Sequence, residues 1–196
     1  MARSTDSNHE SRGPWRKLGW GTAVALILLP LFAMQLTDEV AWDAADFVFA
    51  GALLAGTGAT LELVARNTSI LYRAAVGVAL AAAFILIWTN AAVGIIGDEG
   101  NDANLLYGGV LAVGVIGAVI ARLQPEGLAC ALFATALAQA LVGAAAAIAG
   151  WGAPQSAAGE ILSLTGFFSA LWLASAWLFQ KSAQEEHPTA QRSAAG

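Results

Sequence analysis

Six stretches of about 20 mostly apolar residues, separated by short polar connections, constrain this chain more than any other feature, because that length of helix crosses a hydrocarbon core of about 30 Å. They cover residues 18–36, 44–65, 71–97, 103–121, 127–150 and 158–180. The connections TDEVAWD, RNTS, DEGND, RLQPE and WGAPQSAAG combine charge, Gly, Pro, Asn or Ser, the residue types of turns. Connections this short make successive helices antiparallel. The stretches are rich in Ala and Leu and do not alternate, which excludes barrel strands. Helix is then the spanning element, since it satisfies its own backbone hydrogen bonds in lipid. The sequence predicts an all-α polytopic membrane protein, a bundle of six transmembrane helices. Polar tails at 1–17 and 181–196 lack apolar periodicity and read as flexible. Basic residues precede the first stretch, but it is long and offers no pair of small residues for cleavage, so it reads as a retained helix.

Composition agrees. The chain is 58% hydrophobic and 12% charged, against about 25% charged in soluble domains, too few charges to cover the surface of so small a globule. The same figures exclude a disordered chain. Cys130 is the single cysteine, which excludes a disulfide scaffold. A net charge of −5 excludes a nucleic-acid binder acting through bulk basic charge.

The basic residues set the expected orientation, because Lys and Arg gather in cytoplasmic loops. Arg3, Arg12, Arg16 and Lys17 precede the first stretch, and Arg66 and Arg73 fall between the second and third. Arg122 falls between the fourth and fifth, and Lys181 and Arg192 follow the sixth. In a six-span arrangement all nine lie on one side, so both termini are expected in the cytoplasm. The opposite loops hold Asp38, Glu39, Asp43, Asp46, Asp98, Glu99, Asp102 and Glu160 and no basic residue.

That acidic side supplies the candidate site. Asp46, Asn90, Asp98, Glu99, Asp102 and Asn104 offer carboxylate and amide oxygens, the ligands hard cations take, and form a candidate pathway for a cation or small solute. A plain structural reading stands beside it: acids populate loops from which bases are excluded, and they cap helix N-termini. Glu62 and Arg66, four residues apart, form a candidate interfacial ion pair. Asn90 and Gln139 are amides inside apolar stretches, where interhelical hydrogen bonding is their commonest role. Cys130 reads as small core packing, and Trp172 as packing between helices or facing lipid.

Several absences narrow the chemistry. His9 and His187 lie in the tails and no Lys lies in any stretch, so the helices offer no haem ligand and no Schiff-base amine. Ser163, Ser169 and Ser175 have no intramembrane base to activate them. No enzyme activity, cofactor or metal centre is expected.

The segments WDAADFVFAGALLAGTGATLELVAR, YRAAVGVALAAAFILIWTNAAVGIIGDEGNDANLLYGGVLAVG and ARLQPEGLACALFATALAQALV, within Trp42 to Val142, resemble a group of small multi-pass bacterial inner-membrane proteins of uncharacterised function. The resemblance implies a location in the bacterial cytoplasmic membrane and carries no activity with it. The expected function is that of a non-enzymatic structural or accessory membrane protein acting through helix contacts, because packing residues outnumber chemical ones. The alternative is a small transporter or channel with an acidic outer vestibule. Expected partners are the lipid bilayer and other membrane proteins or further copies of the chain, and no nucleic acid.

Overall fold

A computed structural model describes residues 14–36, 42–64 and 69–194. Every regular element is a helix: α1 (Pro14–Ala33), α2 (Ala44–Val64), α3 (Ile70–Ala92), a short 3₁₀ turn (Asp102–Leu105), α4 (Leu106–Ile120), α5 (Pro125–Ala149) and α6 (Ala158–Ala194). Five of them, α2 to α6, are long and apolar enough to cross a membrane, α4 together with its 3₁₀ turn. The apolar part of α1, Trp20–Ala33, is shorter.

Several boundaries depart from the predicted stretches. The first helix starts at Pro14, inside the segment read as a flexible tail, with Pro14 at its first position, where a missing N–H costs nothing, and it ends at Ala33 rather than 36. The third stretch is expected to be helical to residue 97, but α3 ends at Ala92, because Gly94 and Gly97 both take φ +77°, a left-handed conformation that ends a helix. The fourth stretch begins with the 3₁₀ turn rather than α-helix. The last helix does not stop near 180 but continues to Ala194, through the segment read as a flexible tail. The sequence from Lys181 to His187 contains no glycine or proline that would end it.

The chain divides into two compact units, Met1–Glu62 and Leu63–Gly196. In the first, α2 starts with a reciprocal cap. Asp43 Oδ1 accepts from the backbone N–H of Ala45 and Asp46 (2.7 and 3.0 Å), while Asp46 Oδ2 accepts from the N–H of Asp43 (2.9 Å). This is the capping-box arrangement with Asp at both positions. At the other end of α2, Trp20 of α1 donates its indole N–H to Glu62 Oε1 at 2.8 Å. Gly58, one turn before Glu62, leaves room for that indole, whose ring lies 3.4 Å from where a Cβ would be.

In the second unit, α6 packs against both α3 and α5, and α4 packs against α5. Side-chain pairs show the directions. Ser69 meets Ser182 (3.2 Å), Tyr72 meets Phe179 edge to face (5.2 Å), and Ser175 donates to the Ala75 carbonyl (2.7 Å). The α3 number rises as the α6 number falls, so these helices are antiparallel. Small residues bring the helices close: a Cβ on Gly117 would lie 2.6 Å from Ala131 Cβ, and one on Gly143 would lie 2.6 Å from Thr165 Cγ2. The core is Tyr72, Leu86, Ile95, Ile96, Tyr107, Val110, Leu128, Leu132, Ile161, Phe168, Trp172 and Phe179, with alanines between them. Trp172 is thus buried between helices, whereas Trp88 is exposed. Cys130 does not enter the core but is exposed. The inward stripe of α5 runs through Leu128, Leu132, Thr135, Ala136, Gln139 and Gly143, at spacings of three and four, and Cys130 falls off it.

Topology sorts the charges of this unit. Arg73, Arg122, Glu126 and Lys181 sit at the end where α3 and α5 begin, with Glu185, Glu186 and Arg192 further along α6; Asp98, Glu99, Asp102 and Glu160 sit at the end where α4 and α6 begin.

Candidate functional site

The acidic end of the second unit is built around one buried amide. After α3 stops, residues 93–97 run without helix, and Gly94, Ile95 and Ile96 are buried. A non-helical backbone near the membrane is tolerated only where its polar groups find partners inside the protein. Asn104 provides them. Its Oδ1 accepts from the N–H of Ile95 (3.1 Å) and Ile96 (2.9 Å), and its Nδ2 donates to the carbonyls of Ile96 (3.3 Å) and Asp98 (2.7 Å). Its own carbonyl accepts from Asn90 Nδ2 at 3.1 Å, which ties the last turn of α3 to the start of α4.

Two further residues fasten this loop to the one joining α5 and α6. Asn101 caps the 3₁₀ turn by accepting from Ala103 N–H (3.0 Å) and donates through Nδ2 to the Trp151 carbonyl (2.9 Å). Ser156 Oγ accepts from Gly97 N–H (3.2 Å) and donates to the Gly97 carbonyl (3.1 Å). Gly97 has φ +77°, and a Cβ there would lie 2.8 Å from Asn101 Nδ2, so the sequence needs glycine at that point. Beside the loop lies a groove of about 540 Å³ lined by Val93, Ile95, Leu164, Gln155, Glu160 and Ser163 among others. Glu160 accepts from Ala157 N–H (3.1 Å) and Ser163 donates to the Gly159 carbonyl (2.7 Å), so both turn polar atoms onto their own helix.

The structure therefore brings together Asn90, Asp98 and Asn104 through hydrogen bonds, with Glu99 and Asp102 in the same loop. Asp98, Glu99 and Asp102 are exposed, and Asn104 is buried with its side chain directed to backbone groups. Asp46 lies in the other unit, in the cap of α2. Glu62 is bonded to Trp20, and Arg66, its predicted ion-pair partner, lies outside the described residues, as do Asp38 and Glu39. Among the described residues no three His, Cys, Asp or Glu side chains cluster as a metal site would require.

A second set of polar groups lies inside the bundle. Both amide atoms of Gln139, the hydroxyls of Tyr107, Thr165 and Ser169, the indole N–H of Trp172 and Asn90 Oδ1 are buried and bonded to no protein group. Gln139 is conspicuous in the sequence as an amide within an apolar stretch. Trp172 and Ser169 are noticed there only singly, and Tyr107 and Thr165 not at all, since the inward stripe of a lipid-embedded helix is hard to tell from its outward faces when most of its residues are apolar.

The chain matches no protein-family profile, no curated protein and no solved structure. What the fold itself defines, among the described residues, is an all-helical protein with five helices long and apolar enough to cross a membrane.

Proposed function

We propose that this is a non-enzymatic integral protein of the bacterial cytoplasmic membrane, crossing it six times with both termini in the cytoplasm, and that it acts as a structural or accessory component through helix contacts. The observation that carries this reading is the use made of Asn90, Asn101, Asn104 and Ser156. The best-placed polar side chains at the acidic end hold the protein's own backbone, and the helices below them meet over glycine and alanine. Orientation follows from the basic end of the second unit, which the positive-inside tendency assigns to the cytoplasm.

A second reading, a small transporter or channel for a cation or small solute, draws support from the exposed carboxylates of Asp98, Glu99 and Asp102 at one end of the bundle. Flux assays separate the two. Purified protein in vesicles is expected to carry potassium, sodium and protons no faster than protein-free vesicles do. A flux that Asp46→Asn or Asn90→Ala abolishes would replace the accessory reading with the transport one. Orientation is tested with single cysteines in a Cys130→Ala background. Residues 99 and 181 are expected to react with impermeant reagents from opposite sides of the membrane, residue 181 from the cytoplasm.

A further inference from the structure

Five uncharged polar side chains lie on the inward faces of α4, α5 and α6 without a protein partner. Gln139 is 0% exposed, Tyr107 1%, Trp172 3% and Thr165 6%, and Ser169 is half-buried with its hydroxyl oxygen fully covered.

Helix register brings them into a column. Gly143 of α5 abuts Thr165 of α6, and Gly152, just past α5, abuts Ile161, so the numbering of the two helices runs in opposite directions. Because these helices are antiparallel, one turn further along each places Gln139 level with Ser169, and Trp172 follows about one turn beyond Ser169. On the other side of α5, the contacts of Gly114 with Thr135 and Gly117 with Ala131 set the α4 register and bring Tyr107 level with Gly143. The Tyr107 hydroxyl accordingly lies beside the Thr165 side chain, yet neither oxygen meets hydrogen-bond geometry with any protein group. The outer level is Tyr107 with Thr165, and the deeper level is Gln139 with Ser169.

The chemistry of the column selects its occupant. A primary amide offers two donors and one acceptor oxygen, each hydroxyl offers one donor and lone pairs, and the indole only donates. Such a set suits a molecule that both gives and takes hydrogen bonds. A bare cation would be repelled by the donors, and no charged side chain of the column would balance an ion. The close approach of α5 and α6 at Gly143 limits any occupant to something very small. Levels one helical turn apart stand about 5.4 Å from each other, roughly two hydrogen-bond lengths, which one bridging molecule spans. Buried waters occupy such places, typically making about three bonds to groups the protein leaves unpaired.

We propose that α4, α5 and α6 enclose an internal water-binding site, in which water bridges Gln139 and Ser169 to Tyr107 and Thr165 and accepts from Trp172 Nε1. The column makes the interior of the bundle neutral and polar. Its occupant differs from the cation considered for the acidic end.

The test uses full-length protein in nanodiscs and X-ray radiolytic labelling read by mass spectrometry, in which radicals generated from internal water oxidise the side chains touching it. After correction for intrinsic reactivity, Tyr107 and Trp172 are expected to label several-fold faster than Phe168 and Phe179, which are equally buried in the same core but carry no polar atom to hold a water. Gln139→Leu, close in size and apolar, is expected to reduce labelling at both several-fold. Ser169→Ala, which removes one hydroxyl at the same level, reports independently should the leucine variant fail to fold. Labelling of Tyr107 and Trp172 at the rate of Phe168 in the wild type would overturn the proposal. Rates unchanged in the folded variants would overturn it as well.

Discussion

Replacing Gly143 by alanine tests how closely α5 and α6 are packed. A Cβ there would lie 2.6 Å from Thr165 Cγ2 and 2.7 Å from Thr165 Cβ, and closer still to the Thr165 hydroxyl, where carbon atoms rest at about 3.5–4.0 Å. Rotation about χ1 moves the hydroxyl and the methyl but leaves Cβ in place, so the helices themselves must separate by about 1 Å to restore that spacing. Overpacking of this kind costs about 1–3 kcal/mol, and this contact belongs near the upper figure because the obstructing atom is fixed to the backbone. Exchanging glycine for alanine in a helix returns about 1 kcal/mol, leaving a net loss of about 2 kcal/mol. Gly166→Ala is the control, since nothing lies within 4 Å of its would-be Cβ, and it should gain about 0.5–1 kcal/mol. Unfolding in mixed micelles of increasing denaturing detergent, followed by tryptophan fluorescence, measures both. Adding Thr165→Gly to Gly143→Ala should remove the clash and recover part of the loss. Equal stabilisation by Gly143→Ala and Gly166→Ala would refute the packing described here.

The same unfolding assay checks the other expectations. Asn104→Leu strands the buried N–H groups of Ile95 and Ile96 and should cost about 2–6 kcal/mol at about 1–3 kcal/mol for each group left unpaired; Asn104→Asp keeps the acceptor and should lose less. Asp98→Asn, Glu99→Gln and Asp102→Asn, all exposed, should stay within about 0.5 kcal/mol of wild type. Asp43→Ala removes the side chain that receives the Ala45 and Asp46 N–H groups and should cost about 1 kcal/mol. Leu123 is exposed and holds φ +60°, so Leu123→Gly should gain about 1 kcal/mol by relieving the left-handed conformation, while Tyr72→Phe, which loses the 3.0 Å bond to the Leu123 carbonyl, should lose about 1 kcal/mol.

Helix positions were the most legible part of the chain, because the need for long apolar segments in lipid leaves few ways to divide it. The start of α2 at Ala44 and of α6 at Ala158 coincide with the predicted boundaries. The end of α3 was less legible: Val93, Ile95 and Ile96 are as apolar as the helix before them, and only the glycines at 94 and 97 hint that the backbone turns. The structural work of Asn104 depends on reaching back to residues eight and nine positions earlier. An asparagine beside three acids looks the same in sequence whether it binds backbone or ligand. Asp46 shows the converse, since an acid three residues after Asp43 at a helix start can be read as a cap from spacing alone. The polar column was hidden for a geometric reason. Tyr107, Gln139 and Thr165 come from three helices, and only their register, set by glycine contacts, reveals that they share one interior.

The bonds between the two loops of the acidic end also impose an order on biogenesis. Gly97 is secured by a residue 59 positions later, and Asn101 by a carbonyl 50 positions later. A chain emerging from the ribosome has therefore delivered α3, α4 and all of α5 before the turn after α3 receives its fastenings. Until Trp151 and Ser156 arrive, the turn between α3 and α4 has only the bonds formed within its own hairpin, and the lock that completes it is carried by the loop just before the last helix.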